Sequence, residues 1–357
     1  FEGYADDAVT SIGRFDQTIP VSVPLYDLIP LLNPDQYLKP NPRYQAYYKR
    51  KINHLMCASS LFAISEFSQE EGAEYLDVVP ERIINVSTAI EDCFCPIELS
   101  EADVTRITEK FNITQSFILY TGGADERKNL PRLIQAYAAL SSPLRTSHQL
   151  LLAGKMPESN IAEFKHLAKS AGLKPDKLCF TGYITDEELI QLYNLCELYV
   201  FPSWHEGFGL PALESMACGA VVIGANTTSL PEVIGLEAAL FDPMDVTTIT
   251  AKMSQALQDD DFRATLRQNG LQQAKKFSWD ETAKRALTAW EILSRQKTSS
   301  ISYINRSSTN SRLVQKIAQP KHTPKSMPLA RIAACIAQNQ STGIERQLML
   351  DVSELCQ

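Results

Sequence analysis

The stretch ELYVFPSWHEGFGLPALESMACGAVVIGAN, residues 197–226, decides the architecture. It opens with ELYVFPS (197–203), a short apolar run stopped by a proline, which reads as a buried strand. LPALESMACG (210–219) reads as a helix, with Pro211 suited to its first turn. VVIGAN (221–226) is a second buried strand. The polar, glycine-bearing segment HEGFG (205–209) therefore lies between the end of a strand and the start of a helix.

The same alternation extends toward the amino end. FILYTGG (117–123), QLLLAGK (149–155) and KLCFTGY (177–183) read as strands. NLPRLIQAYAAL (129–140), NIAEFKHLAKSAG (160–172) and TDEELIQLYNLC (185–196) read as helices, and Thr185 with Glu188 has capping-box spacing. Such alternation with short connections predicts a doubly wound parallel sheet whose crevice lies at the carboxyl ends of its strands. Three helices are expected after Val246, the last being SWDETAKRALTAWEILSRQ (278–296).

Residues 1–96 hold part of another α/β unit. VSVPLYDLIPLL (21–32), SLFAIS (60–65) and RIINVSTAI (82–90) read as strands, and RYQAYYKRKINHLMCA (43–58) and SEFSQEEGAEYL (65–76) as helices. These are too few for a complete doubly wound domain. Residues 298–328, rich in Ser, Thr, Lys and Pro, read as a linker. RQLMLDVSEL (346–355) reads as a strand opening a further module over 329–357. With Phe1 in place of an initiating Met, the expectation is a piece of a longer polypeptide with adjacent modules.

Composition narrows the function. The 357 residues carry a net charge of -8, with 44% hydrophobic and 21% charged residues, an ordinary globular balance. The length suggests about two domains. Acidity disfavours a nucleic-acid-coating role. Eight cysteines without CxxC spacing predict reduced thiols and a cytoplasmic setting. No apolar run reaches the ~18 residues of a membrane span.

Two constellations carry chemistry. In the first, His205, Glu206, Gly207, Phe208, Gly209 and Leu210 run into a helix that contains Glu214. The glycines let a ligand approach the backbone, and the helix start favours a phosphate. Two carboxylates can accept hydrogen bonds from different hydroxyl-bearing parts of one ligand. The simpler reading of such acids is dipole compensation, and the glycines argue against it. The second constellation is Gly122-Gly123-Ala124-Asp125-Glu126-Arg127-Lys128, between another strand and helix on the same sheet edge. Its adjacent cations can neutralise a diphosphate; alone they would read as a solvated turn. Gly207 to Ala212 also matches G-x-G-x-x-A. That strand is not the first of its unit and no acid ends the next one, so a nicotinamide nucleotide does not follow. Asp259-Asp260-Asp261 reads as a solvated helix end and not as a metal site.

FILYTGGADERKNLPRLIQAY, LLLAGK, FTGYITDEEL, LYVFPSWHEGFGLPALESMACGAVVIGANTTSLPEVIG and AALFDPMD resemble, in order, the donor-binding domain of the retaining glycosyltransferases of family 4. The resemblance covers residues 1–297, and HEGFGLP with ERKN is similar to the mannosyltransferase-like branch. It implies an α/β fold of the GT-B type: two Rossmann-like doubly wound domains, the first truncated at 1–96 and the second spanning 97–297. It implies transfer of a sugar, mannose from GDP-mannose as first choice, from a nucleotide-diphospho-sugar to a glycan or lipid-linked acceptor with retention, as in polysaccharide biosynthesis; the two glutamates are equally compatible with UDP-sugars. No cofactor and no essential metal are implied, and a lipid-linked acceptor would bring peripheral membrane contact.

Carried over by position, Lys128 matches the diphosphate-binding lysine, Glu206 the glutamate near the reacting end of the sugar, and Glu214 the glutamate on the nucleotide ribose. Gly207, Phe208, Gly209 and Leu210 match the backbone contacts to sugar and phosphates. Gly122 and Gly123 match the first loop, and Gly182 and Tyr183 the loop near the nucleobase. His205 is expected either on the sugar or behind Glu206. There are three departures. An arginine common five residues before the lysine is Gly123 here, with Arg127 as its replacement. Tyr26 stands where an acceptor-side histidine often precedes the Asp at Asp27. The glycine-rich loop opening the acceptor domain is missing. The alternative reading is a non-catalytic nucleotide-sugar-binding module in a larger assembly.

Overall fold

A computed structural model describes residues 20–298. The expected linker past residue 298 and the strand at 346–355 lie outside the described residues. Two compact units are present. One comprises residues 20–23, 33–61 and 289–298, the other residues 24–32 and 62–288.

The smaller unit is built on helix α1 (Pro42–Met56), started by Asn41, whose side chain accepts from Tyr44 N. Tyr47, Tyr48, Ile52 and Leu55 form its buried stripe. Trp290 Nε1 donates to Ser22 Oγ at 2.9 Å.

Strands β1 (Ser22–Leu25), β2 (Ser60–Ala63) and β3 (Ile83–Asn85) form a three-stranded sheet in that order. Two expected strands are shorter than the sequence suggested. The first stops at Leu25, and Ile29–Leu32 is a helical turn. Asp27 Oδ1 takes the Ile29 N–H at 3.1 Å, and Pro30 has no N–H for a ladder. The third stops at Asn85 because Ser87 adopts φ 64°. Helix α2 (Glu66–Tyr75) follows β2, and Ser65 caps it by accepting from Ser68 N at 2.8 Å.

The larger unit contains a six-stranded sheet. Its strands are β4 (Ser116–Thr121), β5 (His148–Ala153), β6 (Leu178–Phe180), β7 (Leu198–Phe201), β8 (Val222–Ala225) and β9 (Leu240–Phe241), every pair parallel. Their order is β6-β5-β4-β7-β8-β9. The chain builds outward from β4 on one side, then returns to place β7 on the other. This is the doubly wound order, with its switch point between β4 and β7. Every residue of β5, β7 and β8 is buried, as expected of parallel strands covered on both faces.

Helices α3 (Glu101–Phe111), α4 (Leu130–Ala139), α5 (Glu158–Ser170), α6 (Asp186–Leu195), α7 (Leu210–Ala217), α8 (Leu230–Ile234), α9 (Val246–Gln258), α10 (Asp260–Ala274) and α11 (Trp279–Thr298) follow. The capping box at α6 is present in both directions, Thr185 N to Glu188 and Glu188 N to Thr185. Asp259 Oδ1 accepts Phe262 N at 2.9 Å, so the acidic run opens α10. Among the described residues no helix is long and apolar enough to cross a membrane, and no cluster of His, Cys, Asp and Glu could hold a metal ion.

Candidate active site

The site lies in the larger unit, where β4 and β7 end side by side. Beyond β4 the chain turns through Gly122 and Gly123 into a single 3-10 turn, Glu126–Lys128, started by Asp125, which accepts from Arg127 N at 3.2 Å. Beyond β7 it runs through Pro202–Gly209 into α7. Because β4 and β7 are neighbours, these two loops meet: Trp204 N donates to Arg127 O at 3.0 Å. Asn129, buried, donates through Nδ2 to Pro202 O at 3.0 Å and to Pro243 O at 2.6 Å, fixing the base of both loops.

Glu206 is the centre of the first cluster. Its Oε1 lies 2.6 Å from Lys128 Nζ and its Oε2 2.7 Å from Arg127 Nη1. Arg127 Nη1 also donates to His205 O at 2.8 Å, and Lys128 Nζ sits 5.4 Å from the centre of the Phe201 ring. Burial works to raise the Glu206 carboxyl, but Lys128 and Arg127 outweigh it and hold the group below the usual glutamate range. Its N–H is taken by Thr228 Oγ1 at 3.2 Å, and Thr228 adopts φ 55°, a conformation uncommon for a β-branched residue.

After Glu206 the loop's carbonyls are tied down and its N–H groups are not. Gly207 O accepts from Ser65 Oγ at 2.6 Å and Ser68 Oγ at 2.9 Å; Phe208 O accepts from Ser229 Oγ at 2.7 Å. The N–H groups of Gly207, Phe208 and Gly209 have no acceptor among the described residues. A Cβ at Gly207 would stand 2.3 Å from Tyr26 O, so only glycine lets the backbone pass there. Gly209 holds φ 106° at the start of α7, again a glycine conformation. The Phe208 side chain leaves the loop for the core and packs edge-on against Phe277. Unpartnered N–H donors at the head of a helix, beside two cations, suit an anion.

Glu214, within α7, has different surroundings. Tyr193 donates to its Oε2 at 2.9 Å, and Thr121 Oγ1 lies 3.0 Å from the Tyr193 hydroxyl and 2.9 Å from that of Tyr199. Burial pushes the Glu214 carboxyl above its ordinary range; the Tyr193 bond opposes this and Asp186 adds to it.

His205 turns away from Glu206. Its Nε2 lies 2.7 Å from Glu71 Oε1, while Glu71 Oε2 accepts Leu28 N at 2.7 Å. A buried carboxylate held at both oxygens thus fixes the imidazole. Burial also raises Asp27, against the pull of Arg127 and His205.

The structure therefore joins Arg127, Lys128, His205 and Glu206 in one cluster and places Glu214 in another. Gly122 is half-buried; Gly123 O accepts from Tyr120 at 2.9 Å. Gly182 bridges to Gly154, and Tyr183 stands 76% exposed at the same edge. Leu210, also exposed, is the first residue of α7. Sequence reading missed Glu71, Thr228 and Tyr193, and named Asp27 only as the residue that follows Tyr26. Tyr193 falls at a core position of α6, where an aromatic residue carries no sign of its hydroxyl's partner. Glu71 shares the buried face of α2 with Ser68 and Gly72, and an acid on such a face was the available signal.

Residues 103–273 match the family of glycosyl transferases group 1. The chain is similar to the Escherichia coli serotype-specific mannosyltransferase WbdA, 37% identical over 359 residues, which cover 100% of this chain and 42% of that protein. It is also similar to the Escherichia coli O-antigen chain mannosyltransferase B, 34% identical over 71% of this chain and 66% of that protein. The chain thus spans less than half the length of its WbdA relatives. Among solved structures, Anabaena Alr3699/HepE in complex with UDP and glucose superposes with a TM-score of 0.61 at 19% identity, over 77% of this chain and 72% of that one. WaaG, a glycosyltransferase involved in lipopolysaccharide biosynthesis, superposes with a TM-score of 0.60 at 18% identity, over 75% of each chain. The fold is α/β, of the GT-B glycosyltransferase type.

Proposed function

We propose that this chain, which carries a glycosyl transferases group 1 domain across residues 103–273, transfers mannose from GDP-mannose to a glycan or lipid-linked acceptor with retained configuration. The observation that carries this reading is the convergence of Arg127, Lys128 and the open N–H groups of Gly207–Gly209 around Glu206. That is a seat for a diphosphate with a carboxylate at its edge. The names of the mannosyltransferase relatives support the sugar. Free thiols at six described cysteines support a cytoplasmic setting.

In this mechanism the bond between the anomeric carbon and the diphosphate oxygen breaks, and the acceptor oxygen bonds to the same face. The acceptor proton passes to the leaving phosphate oxygen. Arg127, Lys128 and the head of α7 stabilise the charge that develops on the diphosphate, which is where preorganised donors contribute most. Glu206 contacts the sugar, and Glu214 accepts from the ribose.

The test is thermal stabilisation of the purified chain by GDP, UDP and ADP at equal concentration, followed by proton NMR of the product made from GDP-mannose. A ligand of the folded state raises the melting temperature with its affinity. The largest shift with GDP and an α-linked product are expected. A larger shift with UDP overturns the mannose assignment. Tight binding without donor cleavage favours the non-catalytic module.

A further inference from the structure

Glu214 is held by one oxygen and open at the other. Tyr193 donates to Oε2, and no donor among the described residues reaches Oε1. Behind Tyr193 the hydroxyls form a line through Thr121 to Tyr199. Each of the three has a single proton. With Glu214 ionised, the Tyr193 proton goes to the carboxylate, so Thr121 donates to Tyr193 and Tyr199 donates to Thr121. Reversing any member leaves a buried hydroxyl or carboxylate oxygen unpaired. The Tyr193 ring is fixed as well, edge-on to Tyr199 with centroids 5.6 Å apart and beside Phe94 at 6.3 Å. Four elements, β4, α6, β7 and α7, thus converge to aim one oxygen.

We propose that Tyr193 is a positioning residue that sets ribose specificity by holding Glu214 so that Oε1 faces the vicinal hydroxyls of a bound nucleotide. This rests on the reading of Glu214 as the ribose acceptor. A carboxylate fixed through Oε2 presents Oε1 in one place and orientation. Released from Tyr193 it can rotate, satisfy itself with water, and no longer separate a ribose from a deoxyribose. Discrimination of this kind depends on a polar group that is left unpaired when the wrong ligand binds.

The test is calorimetric titration of the purified chain with GDP and 2′,3′-dideoxy-GDP, and with UDP and 2′,3′-dideoxy-UDP, the tighter pair supplying the ratio of affinities. Wild type should favour the ribonucleotide by about 10- to 100-fold. Tyr193→Phe should cut that ratio by about three- to tenfold and leave the dideoxy affinity within about twofold, since only the hydroxyl contact is lost. In a Glu214→Ala background Tyr193→Phe should change nothing further. Thr121→Val, which breaks the line one step earlier, should lower the ratio less, and it carries the test if melting shows that Tyr193→Phe is not folded. A wild-type ratio near one, or no binding of any nucleotide, overturns the ribose reading and this proposal with it. A large wild-type ratio unchanged in Tyr193→Phe overturns the proposal alone. So does an equal loss for both nucleotides, which would assign Tyr193 to packing.

Discussion

Glu206 and Glu214 belong to one short motif, yet the fold treats them in opposite ways. Glu206 is neutralised by two cations from the neighbouring loop and is held below its ordinary range. Glu214 has, among the described residues, only a phenol on it and is pushed above its range by burial. The difference teaches that the two carboxylates are stocked for separate tasks. In the proposed mechanism, one is a charge that keeps two cations in place until a stronger anion arrives. The other is an acceptor whose ionisation the protein does little to support. Environments that drive two acids apart in this way mark a division of labour.

The sharpest way to break the comparison is Glu206→Gln. It removes the partner of two half-buried cations, and breaking such a pair costs about 3 kcal/mol of stability. Transfer should fall by about 10²- to 10³-fold, the scale of one lost transition-state contact. Yet affinity for a free nucleoside diphosphate should rise, because Arg127 and Lys128 no longer have to leave Glu206. Calorimetry with GDP beside a rate assay reads both; a weaker GDP would show that Glu206 does not compete for the anion's place.

Next in size is Lys128→Ala. It should weaken GDP by about 2 kcal/mol, the value of a charge-assisted contact, while guanosine binding stays constant. Arg127→Ala should follow the same pattern with a smaller loss, since Arg127 also braces His205 O. Glu214→Ala should weaken GDP and guanosine alike, by about 1–3 kcal/mol if a ribose hydroxyl is left unpaired. Losses of equal form in Lys128→Ala and Glu214→Ala would dissolve the distinction between the two clusters.

The smallest effect is on stability and pH, and its sign differs between the two sites. Glu206, with a lowered carboxyl, adds stability that is complete above its ordinary value of 4.5 and is lost as pH falls through its lower folded value. Glu214, with a raised carboxyl, subtracts stability at neutral pH, and that penalty is relieved as pH falls through its raised value. Glu214→Gln should therefore raise the melting temperature slightly at pH 7, where Glu206→Gln lowers it. Guanosine affinity should also fall on acidification before any loss of the Glu206 cluster, and this step should vanish in Glu214→Gln.

The comparison also shows how far the sequence could be read. Apolar runs bounded by Gly and Pro located five of the six strands of the larger sheet because parallel strands buried on both faces need continuous hydrophobicity, while the two-residue β9 was too short to show as such a run. The Thr185–Glu188 spacing located a helix start because the capping box is local chemistry. The conjunction of Arg127 and Lys128 with Glu206 was legible as two loops on one sheet edge. Their pairing with each other depends on β7 lying next to β4, which no local pattern encodes. The run at 21–32 failed where Asp27 captured a backbone N–H, and at 82–90 where Ser87 turned left-handed; both decisions are local but leave the hydropathy unchanged. Tyr193 and Glu71 were out of reach because a buried polar tip looks like core until its partner, from a distant element, is in place.

The adjacency of β4 and β7 has a consequence in time. Strands β4, β5 and β6 can pair in sequence as the chain grows, each a short crossover from the last. β7 must instead return past them to the far side of β4, and Lys128 meets Glu206 across a separation of 78 residues. Contacts of such range form only after the loop between them has been closed, at an entropic cost that slows them. The proposed diphosphate seat therefore cannot exist in a nascent chain that has not yet delivered residue 206, however well its first three strands have assembled. During refolding, the capacity to capture GDP should emerge with the return of β7, later than the secondary structure of the half-sheet that awaits it.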